Sequence, residues 1–321
     1  MLPPELKAKI ISLPKSEKHT IVIVTGKELR HKRFAYRMLQ EFGELVVAWY
    51  ELDETISPKE AVQKKQTKPV LSKHAKVIAK LKELPQTFAR YGFTSTVNKL
   101  TRLANDAYYR FFILRNQGEV MKKEEEKIFK NEIDSMKKCI QATAIKIHPS
   151  DVHSECFRNN IEKLDPYFFL TLSGPLYQKS LLKTIRGAAI NQHAGHSPMY
   201  KGSNTTHWAL YHRDIKCISS TVHITTTGAD AGGILRRSNT TLFPEDNVHT
   251  IFLRTVALGT ELMIESVKEI IKHKEINIFH QPKDMGQTYL NKEYNLSVMK
   301  ALFRDFKAGW LFMEINRRRS F

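Results

Sequence analysis

The chain has 321 residues, 51 Lys plus Arg against 33 Asp plus Glu for a net charge of +18, with 41% hydrophobic and 10% aromatic residues. That composition excludes a disordered or collagen-like chain and supplies a core for one large domain or two ordinary ones. Three widely spaced cysteines (Cys139, Cys156, Cys217) form neither a disulfide framework nor a paired metal knuckle. No stretch has the ~18 apolar residues of a bilayer span and the N-terminus lacks a signal-peptide run, so a cytoplasmic location is expected.

The run from His19 to Gly26 is β-branched and apolar, the pattern of a buried strand. Residues 28–42 place Leu29, Phe34, Leu39 and Phe42 on one helical face, and residues 45–50 read as a second buried strand. This βαβ unit predicts an α/β domain with a mainly parallel sheet. Residues 51–135 interrupt the rhythm with a polar, Lys-rich and mostly helical pattern, read as an insertion. Between Pro58 and Arg90 it carries nine basic side chains and two acidic ones, which suits a solvated helical face more readily than a nucleic-acid or membrane patch.

Alternation resumes with a strand over 142–147, a helix carrying Val152, Cys156 and Ile161, and a central strand over 166–172. A short helix over 178–185 follows, with Gly187 at its C′ position, then a strand over 188–191. Trp208 and Tyr211 fit helix packing. Another strand covers 220–225. From Glu245 the pattern turns helical, with Val256, Leu262, Val267, Ile270 and Ile271 on an apolar face and Gly286 and Tyr289 in a polar linker. The organisation expected is a catalytic domain over 1–244 and a mostly helical C-terminal region over 245–321.

Chemistry concentrates between Asn191 and Leu235. Asn191 and His193 stand two apart at the carboxyl end of a predicted strand, so both point the same way, where open α/β sheets bind ligands. The strand over 220–225 leads into a turn rich in Gly and Thr that delivers Asp230. An amide can stabilise an oxyanion, an imidazole can handle a proton, and a carboxylate beside the imidazole raises its pKa. No Ser or Cys nucleophile accompanies them, which points to attack by an external amine or water. His193, His196 and His223 do not make a zinc set, because the loop between them is not helical and no thiol or carboxylate completes it. The glycine turn over 228–233 departs from GxGxxG and does not follow the first strand, so it is no dinucleotide site.

The segments Asn191-x-His193-x-x-x-Ser197-Pro198-x-Tyr200-x-Gly202, Thr221-Val222-His223 and Gly228-x-Asp230-x-Gly232-x-Ile234 resemble the formyltransferase family that uses 10-formyltetrahydrofolate. The resemblance covers about residues 140–240 and, more loosely, the opening βαβ unit. It implies a Rossmann-like formyltransferase domain, with Asn191, His193 and Asp230 as the catalytic triad and 10-formyltetrahydrofolate as co-substrate, without a metal. It further implies that Phe168, Phe169, Leu170 and Gly174, with Thr225, Thr227 and Gly228, hold the pterin, and that Ser197, Tyr200 and Gly202 face the acceptor.

Within the family, the segment Ser197-Pro198-Met199-Tyr200 and a helical C-terminal region depart from methionyl-tRNA formyltransferases. With the first strand this early, the regulatory domain usual in formyltetrahydrofolate hydrolases is not expected. The loop from His193 to Gly202 is most similar to bacterial N-formyltransferases of amino sugars used in surface polysaccharide, so a nucleotide-linked amino sugar is the expected acceptor. Nucleic acid is not favoured, and a homo-oligomer is left open. The competing non-enzymatic reading is a basic RNA- or membrane-binding protein on the same scaffold.

Overall fold

A computed structural model describes residues 8–16, 18–58, 93–108, 115–136, 144–282 and 284–319. Most of the Lys-rich stretch, residues 59–92, lies outside the described residues. Contacts divide the chain into residues 60–122 and the remainder. In the smaller unit, α2 (Phe93–Tyr108) is an amphipathic helix with Val97, Leu100 and Tyr108 exposed.

The larger unit is built on nine strands. They are β1 (Ala8–Ser12), β2 (Ile21–Thr25), β3 (Val46–Leu52), β4 (Ala144–Ile147), β5 (Phe168–Leu172), β6 (Ala188–His193), β8 (Ser219–Ile224), β9 (Ile234–Asn239) and β10 (Glu275–Phe279), in the order β1-β10-β9-β8-β6-β5-β2-β3-β4. The five strands from β4 to β6 run parallel. Beyond β6 every pairing is antiparallel. A separate parallel pair joins β7 (Tyr200–Gly202) to β11 (Gln287–Tyr289).

The parallel strands are buried on both faces, and their side chains divide by the period of two. Ile21, Ile23, Phe168, Leu170 and Ile190 meet α1 (Leu29–Phe42), through Phe34, Ala35 and Met38, and α7 (Val248–His273), through Val256, Met263 and Val267. Val22, Val24, Phe169 and Ala189 face the other way, toward Phe157 and Ile161 of α4 (Glu155–Leu164) and Leu181 of α5 (Lys179–Leu182). A third cluster joins Trp208 and Leu210 of α6 (Thr205–Tyr211) to Val298 and Leu302 of α8 (Leu296–Lys307) and Trp310 and Ile315 of α9 (Trp310–Arg319). The remaining helix, α3 (Arg115–Ile128), brings Glu125 to Arg30 of α1.

Several expectations are corrected. Gly187 is not a helix cap: α5 ends at Leu182 with Lys183 as its C-cap, and a Cβ on Gly187 would lie 2.5 Å from Tyr167 O, so the glycine permits close approach of two backbones. The C-terminal region is helical for the most part but contributes β10 to the main sheet and β11, with Tyr289, to the small one. Strands β1 and β9 complete the antiparallel side. Trp208 and Tyr211 do lie on a helix, with Trp208 packed in an aromatic stack. Among the described residues, no helix is long and apolar enough to cross a membrane.

Six histidines are buried among the described residues: His31, His193, His196, His207, His223 and His249. Burial pushes the pKa of His31 and of His207 down to about 3 and that of His196 down to about 4. An unfolded imidazole titrates near 6.5, so below that pH the unfolded chain binds protons that the folded chain refuses. Stability is therefore complete above about pH 6.5 and is lost as pH falls toward 4, by at most about 1.4 kcal/mol per pH unit for each imidazole. Thermal unfolding followed by circular dichroism will show the midpoint falling across this window. His207→Phe will flatten the slope, since Nδ1 of His207 is buried without a hydrogen-bond partner among the described residues. A midpoint independent of pH from 6.5 to 4 would contradict this assignment.

Candidate active site

Strand β6 ends at His193, and its alternation sends Asn191 and His193 to one face and Gln192 to the other. Gln192 Nε2 donates to Val256 O at 2.6 Å, fixing the strand to α7. That approach needs Gly259, where a Cβ would lie 2.2 Å from Ser220 Oγ and 2.5 Å from Gln192 Nε2. The strand end is thus clamped on the face opposite Asn191 and His193.

Asp230 arrives on the loop after β8 with a left-handed φ of +46°, a conformation uncommon outside glycine. Its carboxylate is surrounded by donors. Gly202 N–H donates to Oδ2 at 2.7 Å, and Asn191 Nδ2 donates to Oδ1 at 3.3 Å. His193 Nδ1 stands 3.2 Å from Oδ2, and His223 Nε2 stands 3.1 Å from Oδ1. Burial alone would raise the Asp230 pKa, but the two imidazoles and the Gly202 amide overcome it and hold the carboxyl well below the usual carboxylate range.

Each partner is fixed in turn. Thr171 Oγ donates to Asn191 Oδ1 at 2.8 Å, which turns the amide NH2 toward the site. Nδ1 of His223 donates to Ile224 O at 2.8 Å, leaving Nε2 facing Asp230 and, at 3.2 Å, Asn191 Nδ2. His193 donates from Nε2 to Tyr200 O at 2.9 Å and has Thr205 Oγ at 3.2 Å. Burial, and to a lesser extent the neighbouring His223, lower the His193 pKa, and Asp230 and the Tyr200 carbonyl offset only part of this, so the net shift is downward. Both ring nitrogens face acceptors, so the imidazolium is the form in which both make hydrogen bonds.

This cluster floors a cleft of about 590 Å³. Leu172, Ser173, Gly174 and Tyr177 line one side, and the loop Thr225, Thr226, Gly228 and Ala229 closes another. Ser203, Asn204, Thr288 and Asn291 add hydroxyl and amide groups, and Arg30 and Phe252 stand at the wall formed by α1 and α7. Arg30 is paired with Glu125 and lies over the Phe252 ring at 5.5 Å.

Of the site residues expected from sequence, Asn191, His193, Asp230, Gly174, Thr225, Gly228 and Gly202 meet at the cleft. Gly202 does so through its backbone N–H. Others do not line it. Phe168, Phe169 and Leu170 occupy the middle of β5 and are fully buried in the two sheet cores, whereas the cleft opens past the carboxyl end of that strand. Thr227 is exposed. Ser197 is fully buried, its N–H donating to Thr221 Oγ at 3.2 Å. The Tyr200 ring stacks on Tyr289 with centroids 5.7 Å apart, and only its carbonyl meets the catalytic cluster. His196 also lies apart from the cluster, with Nδ1 3.0 Å from Ser219 Oγ.

Sequence reasoning missed Thr171 as the residue that orients Asn191, and gave His223 no part in the cluster. The signal for His223 was present: β6 and β8 pair with Asn191 opposite His223, and such cross-strand neighbours share a face.

Residues 115–267 match the family model described as formyl transferase. Over this stretch, just under half of its length, the chain is similar to the formyl transferase family. Among curated relatives, the methionyl-tRNA formyltransferase of Thermodesulfovibrio yellowstonii is 29% identical over 125 residues, 39% of this chain and 40% of that protein. That of Desulforamulus reducens is 28% identical over 129 residues, 40% of this chain and 38% of that one. The match thus spans about two fifths of the length of these relatives. Among solved structures, a sugar N-formyltransferase from a Shewanella species aligns over 89% of this chain and 87% of its own, with 12% identity and a TM-score of 0.48.

The cluster makes a direct prediction. Asp230→Asn removes the charge that supports the His193 imidazolium, so its pKa will fall below the wild-type value. Titration of 15N-labelled histidine side chains by NMR reads this shift. An unchanged His193 midpoint in a folded variant would show that the pair is not coupled.

Proposed function

We propose that this chain transfers a formyl group from 10-formyltetrahydrofolate to the amine of an acceptor, and that the acceptor is a nucleotide-linked amino sugar. The observation that carries the first part is the convergence of an oriented amide, an imidazole and an ionised carboxylate at the end of β6. The co-substrate would supply an activated formyl carbonyl. Its pterin fits the side of the cleft lined by the 172–177 segment and the 225–230 loop, where Thr225 Oγ is buried without a hydrogen-bond partner among the described residues.

The chain's own groups then divide the work. Asn191 Nδ2 donates to the formyl oxygen as negative charge develops on it. The His193 imidazolium adds positive charge beside that oxygen. Asp230, held ionised, receives the proton that the acceptor nitrogen sheds as it bonds to carbon, directly or through water; the bond from the formyl carbon to the folate nitrogen then breaks, and that nitrogen takes up a proton so that tetrahydrofolate leaves. Thr171 keeps the amide from turning its oxygen toward the reacting carbonyl.

The amino-sugar part rests on two observations: the loop from His193 to Gly202, with its Ser197-Pro198-Met199-Tyr200 core, and the hydroxyl and amide lining of Ser203, Asn204, Thr288 and Asn291, which suits a hydroxyl-bearing ring. A second reading, formylation of methionyl-tRNA, is favoured by the names of the sequence relatives and by the net charge of +18.

A single panel separates them. Purified protein with 10-formyltetrahydrofolate and dTDP- or GDP-linked 4-amino-sugars will release tetrahydrofolate and yield a product heavier by about 28 Da. Methionyl-tRNA and water serve as competing acceptors. Release only with methionyl-tRNA would replace the sugar reading, and none with any acceptor would overturn formyl transfer. His193→Ala and Asp230→Asn will each lower turnover by about 10²-fold or more without unfolding the chain. Rate against pH will be bell-shaped, and Asp230→Asn will move its falling limb, the loss of the His193 proton, to lower pH.

A further inference from the structure

The segment after β10 lies outside the stretch matched by the family model, yet it meets the catalytic cluster at two levels. Gln281 Nε2 donates to Asp230 O at 2.8 Å and to Gly232 O at 2.6 Å. Its Oε1 is buried without a hydrogen-bond partner among the described residues. The side chain therefore contributes a pair of donors, both spent on the turn that carries the catalytic acid. That turn is tight: Asp230 is left-handed, and a Cβ on Gly232 would lie 1.8 Å from Ile224 O. A residue in such a conformation persists only where its surroundings hold it.

The same segment supports the carboxylate from its other end. Strand β11 pairs with β7 in parallel, Gln287 N–H donating to Met199 O at 2.9 Å and Ser203 N–H to Tyr289 O at 2.8 Å. Tyr289 lies between Tyr200, 5.7 Å away, and Trp208, 4.7 Å away, with its ring nearly parallel to both. Strand β7 in turn supplies the Gly202 N–H that reaches Asp230 Oδ2 and the Tyr200 carbonyl that reaches His193 Nε2.

We infer that Gln281 is a positioning residue: by bridging the backbone carbonyls of Asp230 and Gly232 it sets the distance between the Asp230 carboxylate and His193, making the C-terminal segment a working part of the active site. The inference concerns the same cluster as the proposed formyl transfer, but its test does not require the acceptor.

The charged or titratable groups facing the His193 ring are Asp230 and His223, with the Tyr200 carbonyl and Thr205 hydroxyl as neutral partners. Gln281→Met keeps the length and bulk of the side chain and removes both donors. In the full chain labelled with 15N-histidine, Gln281→Met will lower the His193 pKa by about half a unit or more, in the direction of Asp230→Asn and to a smaller extent. Amide hydrogen exchange will quicken in residues 228–232 and stay unchanged in β2, β5 and β6.

If exchange quickens while the His193 midpoint stays at the wild-type value and Asp230→Asn moves it, Gln281 merely staples a loop and the inference is overturned. It is also overturned if Asp230→Asn itself leaves the midpoint unmoved. Should the Met variant fail to fold, Gln281→Asn, which retains the amide on a stem one methylene shorter, decides the matter by the same shift or its absence. Turnover is a separate arm: a wild-type chain that shows the coupling but formylates no acceptor would overturn the proposed reaction and leave the positioning role standing.

Discussion

The site is organised around one buried anion. A carboxylate removed from water costs several kcal/mol unless charge and hydrogen bonds replace its hydration, and Asp230 collects its replacements from four groups on three strands. Asn191 and His193 come from β6, His223 from β8, and a backbone N–H from Gly202 of β7. Each donor is useful only if its own strand is correctly placed. The demand for compensation therefore reaches outward, to the Thr171 hydroxyl behind Asn191, the Ile224 carbonyl behind His223 and the Gln192 amide that ties β6 to α7.

The sheet gives that arrangement its geometry. Parallel strands β2, β5 and β6 bury apolar side chains on both faces, which fixes their registers. At β6 the sheet changes to antiparallel pairing. The reversal brings the carboxyl end of β6 beside the amino-terminal half of β8, and the loop leaving the far end of β8 folds back to deliver Asp230. Groups separated by 37 positions in the chain, His193 and Asp230, thereby come within hydrogen-bonding reach.

Much of this was legible from the sequence because it follows local rules. The uninterrupted apolar runs of β2, β3 and β5 gave the parallel core, and the two-residue spacing of Asn191 and His193 gave their common direction. The C-terminal strand β10 was readable in principle, since Ile276 and Ile278 alternate with Glu275 and Asn277, but it follows a long helix and is short. Strand β9 hides its pattern behind Arg236 and Arg237, whose stems are partly buried while their charges find partners. Strand β1 pairs Ala8 with Phe279, and no local signal marks a partner so distant. That Phe168, Phe169 and Leu170 do not line the cleft was not legible, because alternation says which sheet face a residue takes, not how far along the strand the cleft opens. Gln281 was invisible for a related reason: its partners are backbone oxygens in a remote turn, which leave no trace in residue type.

The order in which these pieces emerge from the ribosome adds a last consequence. The opening strands and helix can begin to pack early, but β10 and β11 are synthesised after all the side chains that ligate Asp230. The nascent polypeptide thus carries every catalytic side chain well before it carries the support that holds the Asp230 turn. Pairing of Ala8 with Phe279 must likewise wait for nearly the whole chain, and such distant contacts form slowly. Maturation of the reaction centre is in this sense a late event of synthesis, coupled to arrival of β10 to β11, residues 275–289, rather than to completion of the parallel core.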